Sequence, residues 1–213
     1  MTAITKERLL IFTRYPEPSK TKTRLIPTLG AEGAAKLQRQ MTEHTLSKAR
    51  ELQKKRSLSL EVRFTGGSLL LMQNWLGSDI SYQFQGDGDL GVRMVRSLAV
   101  AFQDDIARVV VIGTDCPNLN ADLIAQAFDQ LHSHDLVLGS AIDGGYYLIG
   151  LNHLISELFI GINWGTAAVF QQTVDLAKKL NISVAYLPQL ADVDRPEDLV
   201  IWEMRYDRRQ NEY

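Results

Sequence analysis

The chain carries one cysteine, Cys116, which excludes an intramolecular disulfide and any multi-cysteine zinc site. Cationic residues do not predominate: 23 Lys and Arg stand against 25 Asp and Glu, a formal charge of −2 with a pI near 6.1. That balance implies no nucleic-acid partner and no electrostatic attraction to an anionic membrane. No apolar run approaches the roughly 20 residues that span a bilayer, so no stable membrane insertion is expected. The N-terminal MTAITKERLLIFTR has too short an apolar core for a signal peptide, and a cytoplasmic location is the expectation. The four histidines, His44, His132, His134 and His153, lack metal spacing and are assigned surface or packing roles. No Walker A pattern GxxxxGK[ST] occurs. Repeats, low-complexity tracts and linkers are also absent, so a single domain over residues 1–213 is expected.

What the chain does have is alternation. Hydrophobic residues make up 45 % of it, enough to bury a core. Apolar or alternating runs predict strands at Arg8–Thr13, Leu58–Phe64, Ile80–Phe84, Arg108–Ile112, Asp135–Leu138, Tyr146–Leu151 and Ile182–Leu187. Between them, helical patterns cover Ala31–Lys55, Leu69–Leu76, Leu90–Phe102 with Asp89 as N-cap, Asn120–Leu131, Thr166–Leu180 and Pro196–Arg208. The terminal QNEY is expected to fray. Strands alternating with helices predict a three-layer α/β domain with a mostly parallel sheet. The strand from Tyr146 is expected to run antiparallel, because its connection is too short for a crossover.

In such sheets ligands bind beyond the carboxyl ends of the strands, so the residues that follow each strand are the ones to read. After the first come Arg14, Lys20, Lys22 and Arg24 on a loop stiffened by Pro16 and Pro18. Spaced cations of this kind suit a polyphosphate, or form a solvated basic loop. After the fourth comes Gly113-Thr114-Asp115, where Asp115 holds a hard cation against a phosphate or caps a turn. Cys116 reads as a small buried residue, having no nearby histidine or cation to activate it.

After the fifth comes Asp143-Gly144-Gly145-Tyr146-Tyr147. The glycines allow a ligand close to the backbone or a tight turn, and the two tyrosines point to opposite faces. Near the end, Asp192 and Asp194 precede Pro196, which sits as the first residue of a helix. One of these acids can complete a metal site with Asp115; Asp194 or Glu197 can instead cap the helix. Trp164 is a core aromatic or a stacking surface for a sugar or base.

Six ordered segments, PEPSKTKTRL, GDLGVRM, GTDCP, DGGYYLIG, NWGT and DVDRPEDL, together resemble one family, over roughly Leu9 to Leu199. It is the small GT-A-type, nucleotide-diphospho-sugar-transferase-like proteins, some of whose members are described as glycosyltransferases of arsenosugar biosynthesis. The resemblance implies a Rossmann-like GT-A fold, with a mostly parallel mixed sheet and helices on both faces. It places Asp115 as the divalent-metal acid, for Mg²⁺ or Mn²⁺, with Asp192 or Asp194 as a second ligand. Lys20, Lys22 and Arg24, with Arg14 and Arg93, then bind the nucleotide diphosphate. Asp143, with Asp115 the candidate catalytic acid, is expected to bind a sugar or acceptor hydroxyl and to serve as a base only if the reaction inverts, while Gly144, Gly145, Tyr146 and Trp164 face the sugar or acceptor. Where the family usually has glycine this chain has Ser19, so a tight positive-φ turn there is lost or strained. Val92 replaces a usual acid and removes a partner for Arg93, and Ser140 replaces a common proline.

The expected activity is glycosyl transfer from a nucleotide-diphospho-sugar to a small acceptor, by a monomer or homodimer. Nucleotidyl transfer with release of pyrophosphate is the alternative, and a non-catalytic nucleotide-sugar binder is a third reading.

Overall fold

The structure, a computed structural model, describes residues 6–210. Among the described residues seven strands alternate with helices: β1 Glu7–Arg14, α1 Ile26–Gln53, β2 Ser59–Thr65, α2 Leu69–Leu76, β3 Ser81–Phe84, α3 Leu90–Gln103 and β4 Arg108–Ile112. They continue as α4 Ala121–Gln130, β5 Leu136–Ala141, β6 Tyr146–Leu151, α5 Val169–Lys179, β7 Val184–Leu190 and α6 Leu199–Gln210. All seven form one sheet in the order β3-β2-β1-β4-β6-β5-β7. Only β6 runs against its neighbours, antiparallel to both β4 and β5, and the other pairs are parallel.

Alternation along each strand divides the core between two faces. Leu9 and Ile11 of β1, with Val110 and Ile112 of β4, pack toward α1, α2 and α4. Leu10, Val109 and Val111 pack toward α3 and α5. The three layers follow from this two-sided burial, and the all-apolar run of β4 is its sequence mark. A third cluster joins Leu25 and the first half of α1 to Val193 and Trp202. It fastens the C-terminal segment beside the end of β1.

Several elements depart from their expected bounds for physical reasons. A first helical turn, 26–29, precedes the long helix; Gly30, at φ 70°, breaks it, so the helix proper begins where the pattern places it. In β5 a register shift after Gly139 carries the strand on to Ala141, past the expected end. Strand β7 continues through Pro188, which an edge position tolerates because no ladder donor is needed there. Helix α5 starts at Val169 rather than Thr166, because the Thr166 side chain closes the preceding turn on the Asn163 carbonyl at 2.8 Å. A 3-10 turn, Pro196–Asp198, leads into α6. Its cap is neither Asp194 nor Glu197: Asp198 Oδ2 accepts from the backbone N–H groups of Asp194 and Arg195 at 3.1 and 2.8 Å. Of the terminal QNEY, Gln210 closes α6 and residues 211–213 lie outside the described residues.

Candidate functional site

Strand order reverses between β1 and β4, since β1 connects forward to β2 on one side while β4 flanks it on the other. A cleft is expected beyond the carboxyl ends at such a point. Its walls here come from the segments after β1, β4, β5 and β7 and from the 159–168 loop. The cleft has a volume of about 350 Å³ and brings together Arg24, Asp115, Asp143, Gly145, Tyr146, Trp164, Asp192 and Asp194. A second cavity of about 390 Å³ continues from it, sharing Arg24, Asp143, Asp192 and Asp194 and adding Arg195, Glu197 and Asp198.

A buried polar network sets the depth of this floor. Gln38 Nε2 of α1 points its hydrogens at the hydroxyls of Thr13, Thr42 and Thr114, at 3.2, 3.1 and 3.3 Å. Thr13 and Thr42 also bond each other at 2.9 Å. The ends of β1 and β4 are thereby fixed to one helix, immediately before Asp115. Sequence reading missed this network. Its signal is a polar pair at i, i+4, Gln38 and Thr42, inside the buried stripe of α1.

Asp115 is half exposed, and its Oδ1 lies 2.7 Å from Lys22 Nζ. The Lys22 side chain, only 4 % exposed, also donates to the Val193 carbonyl at 2.6 Å. Lys22 is therefore engaged inside the fold and does not line the cleft. Neither do four other residues expected there. Lys20 pairs with Glu17 at 2.7 Å on the surface, and Arg14 is exposed beside Gly66. Arg93 donates to Gln85 Oε1 at 2.9 Å and to the Asp89 carbonyl at 3.2 Å, partners that stand in for the acid replaced by Val92. Gly144, at φ 89°, packs against the Ala167 backbone, where a Cβ would overlap the carbonyl oxygen. Of the first-loop cations only Arg24 reaches the cleft, paired with Asp194 at its rim. Ser19 keeps the positive-φ turn, at φ 63°.

The acids are close enough to feel one another. Burial pushes the Asp192 carboxyl above its ordinary value, and the charge of Asp143 adds to the rise, with Asp198 and Asp115 contributing. Burial likewise raises the Cys116 thiol, reinforced by Asp115, Asp192 and Asp143, so the cysteine is an inert wall residue as expected. Asp143 spends one oxygen on its own turn, accepting from the Gly145 N–H at 2.8 Å.

The aromatic wall depends on glycine. Trp164 stands edge-on to Tyr146, ring centres 6.3 Å apart, and leans on Gly91, where a Cβ would sit 2.8 Å from the indole. The Tyr146 hydroxyl turns away toward Met94 Sδ at 3.8 Å. Tyr147, on the other face, bonds the Pro188 carbonyl at 2.9 Å; burial pushes its phenol up to about 12. Both rings edge the cleft, so the expected division into one cleft and one core tyrosine is incomplete. Leu90 and Val169 also line the cleft and Gly91 backs Trp164, but helix starts carry no sequence mark of a distant tryptophan.

The acids that converge, Asp115, Asp143 and Asp192, offer oxygen, the donor that hard cations prefer. Among the described residues no three His, Cys, Asp or Glu side chains form a ready-made metal cage. No helix among the described residues is long and apolar enough to cross a membrane.

Comparisons with known proteins agree with this architecture. A candidate nucleotide-diphospho-sugar transferase from Desulfovibrio desulfuricans G20 is 34 % identical with a TM-score of 0.84, over 90 % of this chain and 84 % of that one. Glucosyl-3-phosphoglycerate synthase from Mycobacterium tuberculosis, solved with Mn²⁺, uridine diphosphate and glucosyl-3-phosphoglycerate, has a TM-score of 0.57 at 14 % identity, over 93 % and 75 % of the two chains. The 4-diphosphocytidyl-2C-methyl-D-erythritol synthase of Anaerococcus prevotii DSM 20548 has a TM-score of 0.61 at 10 % identity, over 92 % and 93 %. The last two share the fold alone, that of GT-A-type glycosyltransferases and nucleotidyltransferases. No curated protein matches the chain. A family model matches residues 45–166, more than half of the sequence, and the chain belongs to the family described as an uncharacterized protein conserved in bacteria, DUF2064.

Proposed function

We propose that this chain, as one nucleotide-diphospho-sugar transferase-like domain, is a metal-dependent glycosyltransferase moving a sugar from a nucleotide-diphospho-sugar to a small acceptor. The observation that carries the reading is the convergence of Asp115, Asp143 and Asp192 with the Trp164–Tyr146 wall in one cleft at the strand-order reversal. The 34 % identity to a candidate nucleotide-diphospho-sugar transferase supports it.

Asp115 and Asp192 would hold Mg²⁺ or Mn²⁺, with Asp194 next to them at the rim. When bound, such a cation stabilises the negative charge that develops on the departing nucleoside diphosphate. Arg24 can exchange its partner Asp194 for a diphosphate oxygen, since it borders both cavities. The free oxygen of Asp143 can accept a hydrogen bond from a sugar or acceptor hydroxyl; it serves as a base only if the reaction inverts the anomeric centre. Trp164 gives the sugar an apolar edge to lie against.

Nucleotidyl transfer is the second reading, because the same fold serves a diphosphocytidyl synthase. It needs a phosphorylated acceptor, and the second cavity presents Asp143, Asp192, Asp194, Glu197 and Asp198 against Arg24 and Arg195. Both readings bring phosphate to these acids, so the 34 % identity to a candidate nucleotide-diphospho-sugar transferase is what favours glycosyl transfer. A thermal-shift panel of nucleotide sugars and NTPs, with and without Mn²⁺, tests the proposal by the stability a bound ligand adds. A nucleotide sugar should raise the Tm only with metal present and only while Asp115 is intact. Metal-independent binding unchanged in Asp115→Ala would overturn it.

A further inference from the structure

Lys22 stands where three segments meet. Its ammonium contacts Asp115 Oδ1 at 2.7 Å and the Val193 carbonyl at 2.6 Å, and the Val193 N–H returns to the Asp115 carbonyl at 2.9 Å. The loop is shaped to deliver it. Lys22 adopts φ 48° and ψ 45°, a left-handed conformation unfavourable for a residue with a Cβ, and its carbonyl accepts from Leu25 N–H at 2.9 Å. Thr21, buried beside it, donates to the Tyr15 carbonyl at 3.1 Å. Leu25 and Val193, both fully buried, pack in one cluster and close the arrangement from the other side. A solvated basic loop needs none of this, and a cation meant only to meet a diphosphate would not be 4 % exposed.

We infer that Lys22 is a positioning residue that occupies one oxygen of Asp115 and neutralises its charge, so that the protein takes up its divalent cation together with the donor's diphosphate rather than before it. The inference rests on the reading of Asp115 as the metal acid. A buried ammonium in contact with a carboxylate opposes a second cation at the same group, because water reaches only the Asp115 side of the pair and screens the repulsion in part. A diphosphate entering with the metal supplies the negative charge that offsets both cations. Aligning the carboxylate would then be the work of Lys22, and contacting the diphosphate that of Arg24.

The test titrates Mn²⁺ alone, with no nucleotide, into the purified protein and its variants, following free Mn²⁺ by electron paramagnetic resonance. Lys22→Met should bind Mn²⁺ about tenfold or more tightly than the wild type, while Lys22→Arg, which keeps the charge, stays at the wild-type value. A merely structural lysine predicts the opposite sign, since a disordered site binds metal more weakly. Circular dichroism reports whether Lys22→Met is folded; if it is not, Lys22→Gln, uncharged but still a hydrogen-bond donor, carries the same expectation. Equal or weaker Mn²⁺ affinity in the folded neutral variant overturns the inference. Adding Asp115→Asn to that variant should abolish the gain. If the tight binding instead survives without Asp115, the assignment of Asp115 as the metal acid fails as well, which separates the two failures.

Discussion

The backbone N–H of Val193 donates to the carbonyl of Asp115 at 2.9 Å, joining the segment after β7 to the segment after β4. This bond brings Asp192 and Asp194, late in the chain, to the acid that follows the central strand. The cleft is thus closed by loops beyond the strand ends, with Ala141 of β5 and Tyr146 and Tyr147 of β6 in its wall.

Asp115 supports the fold as well as the site. Replacing it with Asn leaves the Lys22 ammonium buried without its carboxylate, at a cost of about 1–3 kcal/mol, less than for a fully buried pair because Asp115 is half exposed. Lys22→Met combined with Asp115→Asn should recover most of that loss. Urea unfolding of the two single variants and the double variant measures the coupling.

Ser19 bears strain that glycine would release. At φ 63° on an exposed loop, Ser19→Gly should raise stability by about 0.5–1 kcal/mol, the relieved strain exceeding the added freedom of the unfolded chain. A higher denaturation midpoint with an unchanged urea slope is the expected result.

Two glycines near the cleft should differ sharply. At Gly144 a Cβ would meet the Ala167 backbone, whereas at Gly165, also at positive φ, it would meet open space. Gly144→Ala should cost about 2–5 kcal/mol, combining strain and overlap, and Gly165→Ala about 1–2 kcal/mol from strain alone. Thermal unfolding of both variants checks the order.

How far the sequence reveals this molecule depends on the range of the interaction. Local signals were sufficient for β4, β6 and α2, whose bounds match the apolar and alternating patterns, and for Asp89, which caps α3 by accepting from Val92 N–H at 2.9 Å. The ordered motifs placed Asp115, Asp143 and Asp192 together, as the cleft does. Contacts across the chain were not legible. Lys22 looks like any loop cation until the 193 segment folds over it, and Gly91 looks like a helix residue until Trp164 packs on it. The β5 bulge and the extension of β7 through Pro188 likewise arise from sheet pairing rather than from local preference.

Acid sensitivity should trace partly to Glu7, far from the cleft. Its burial opposes ionisation, but hydrogen bonds from Arg56 and Arg108, at 2.9 Å each, prevail and hold the carboxyl below its ordinary 4.5. The unfolded chain then binds the proton more readily, so this contribution is complete above about pH 4.5 and is lost as pH falls through the depressed folded value. Glu7→Gln should lower stability at neutral pH and flatten its fall below pH 4.5, as read from urea midpoints across pH.

The most direct measurement of the proposed activity identifies the phosphate product. With Mn²⁺, a nucleotide sugar that shifts the Tm and a panel of hydroxylated acceptors, nucleoside diphosphate should be released in equal amount to the glycoside formed, and none by Asp115→Asn. Pyrophosphate release from an NTP and a phosphorylated acceptor, or binding with no turnover over the whole panel, would contradict it.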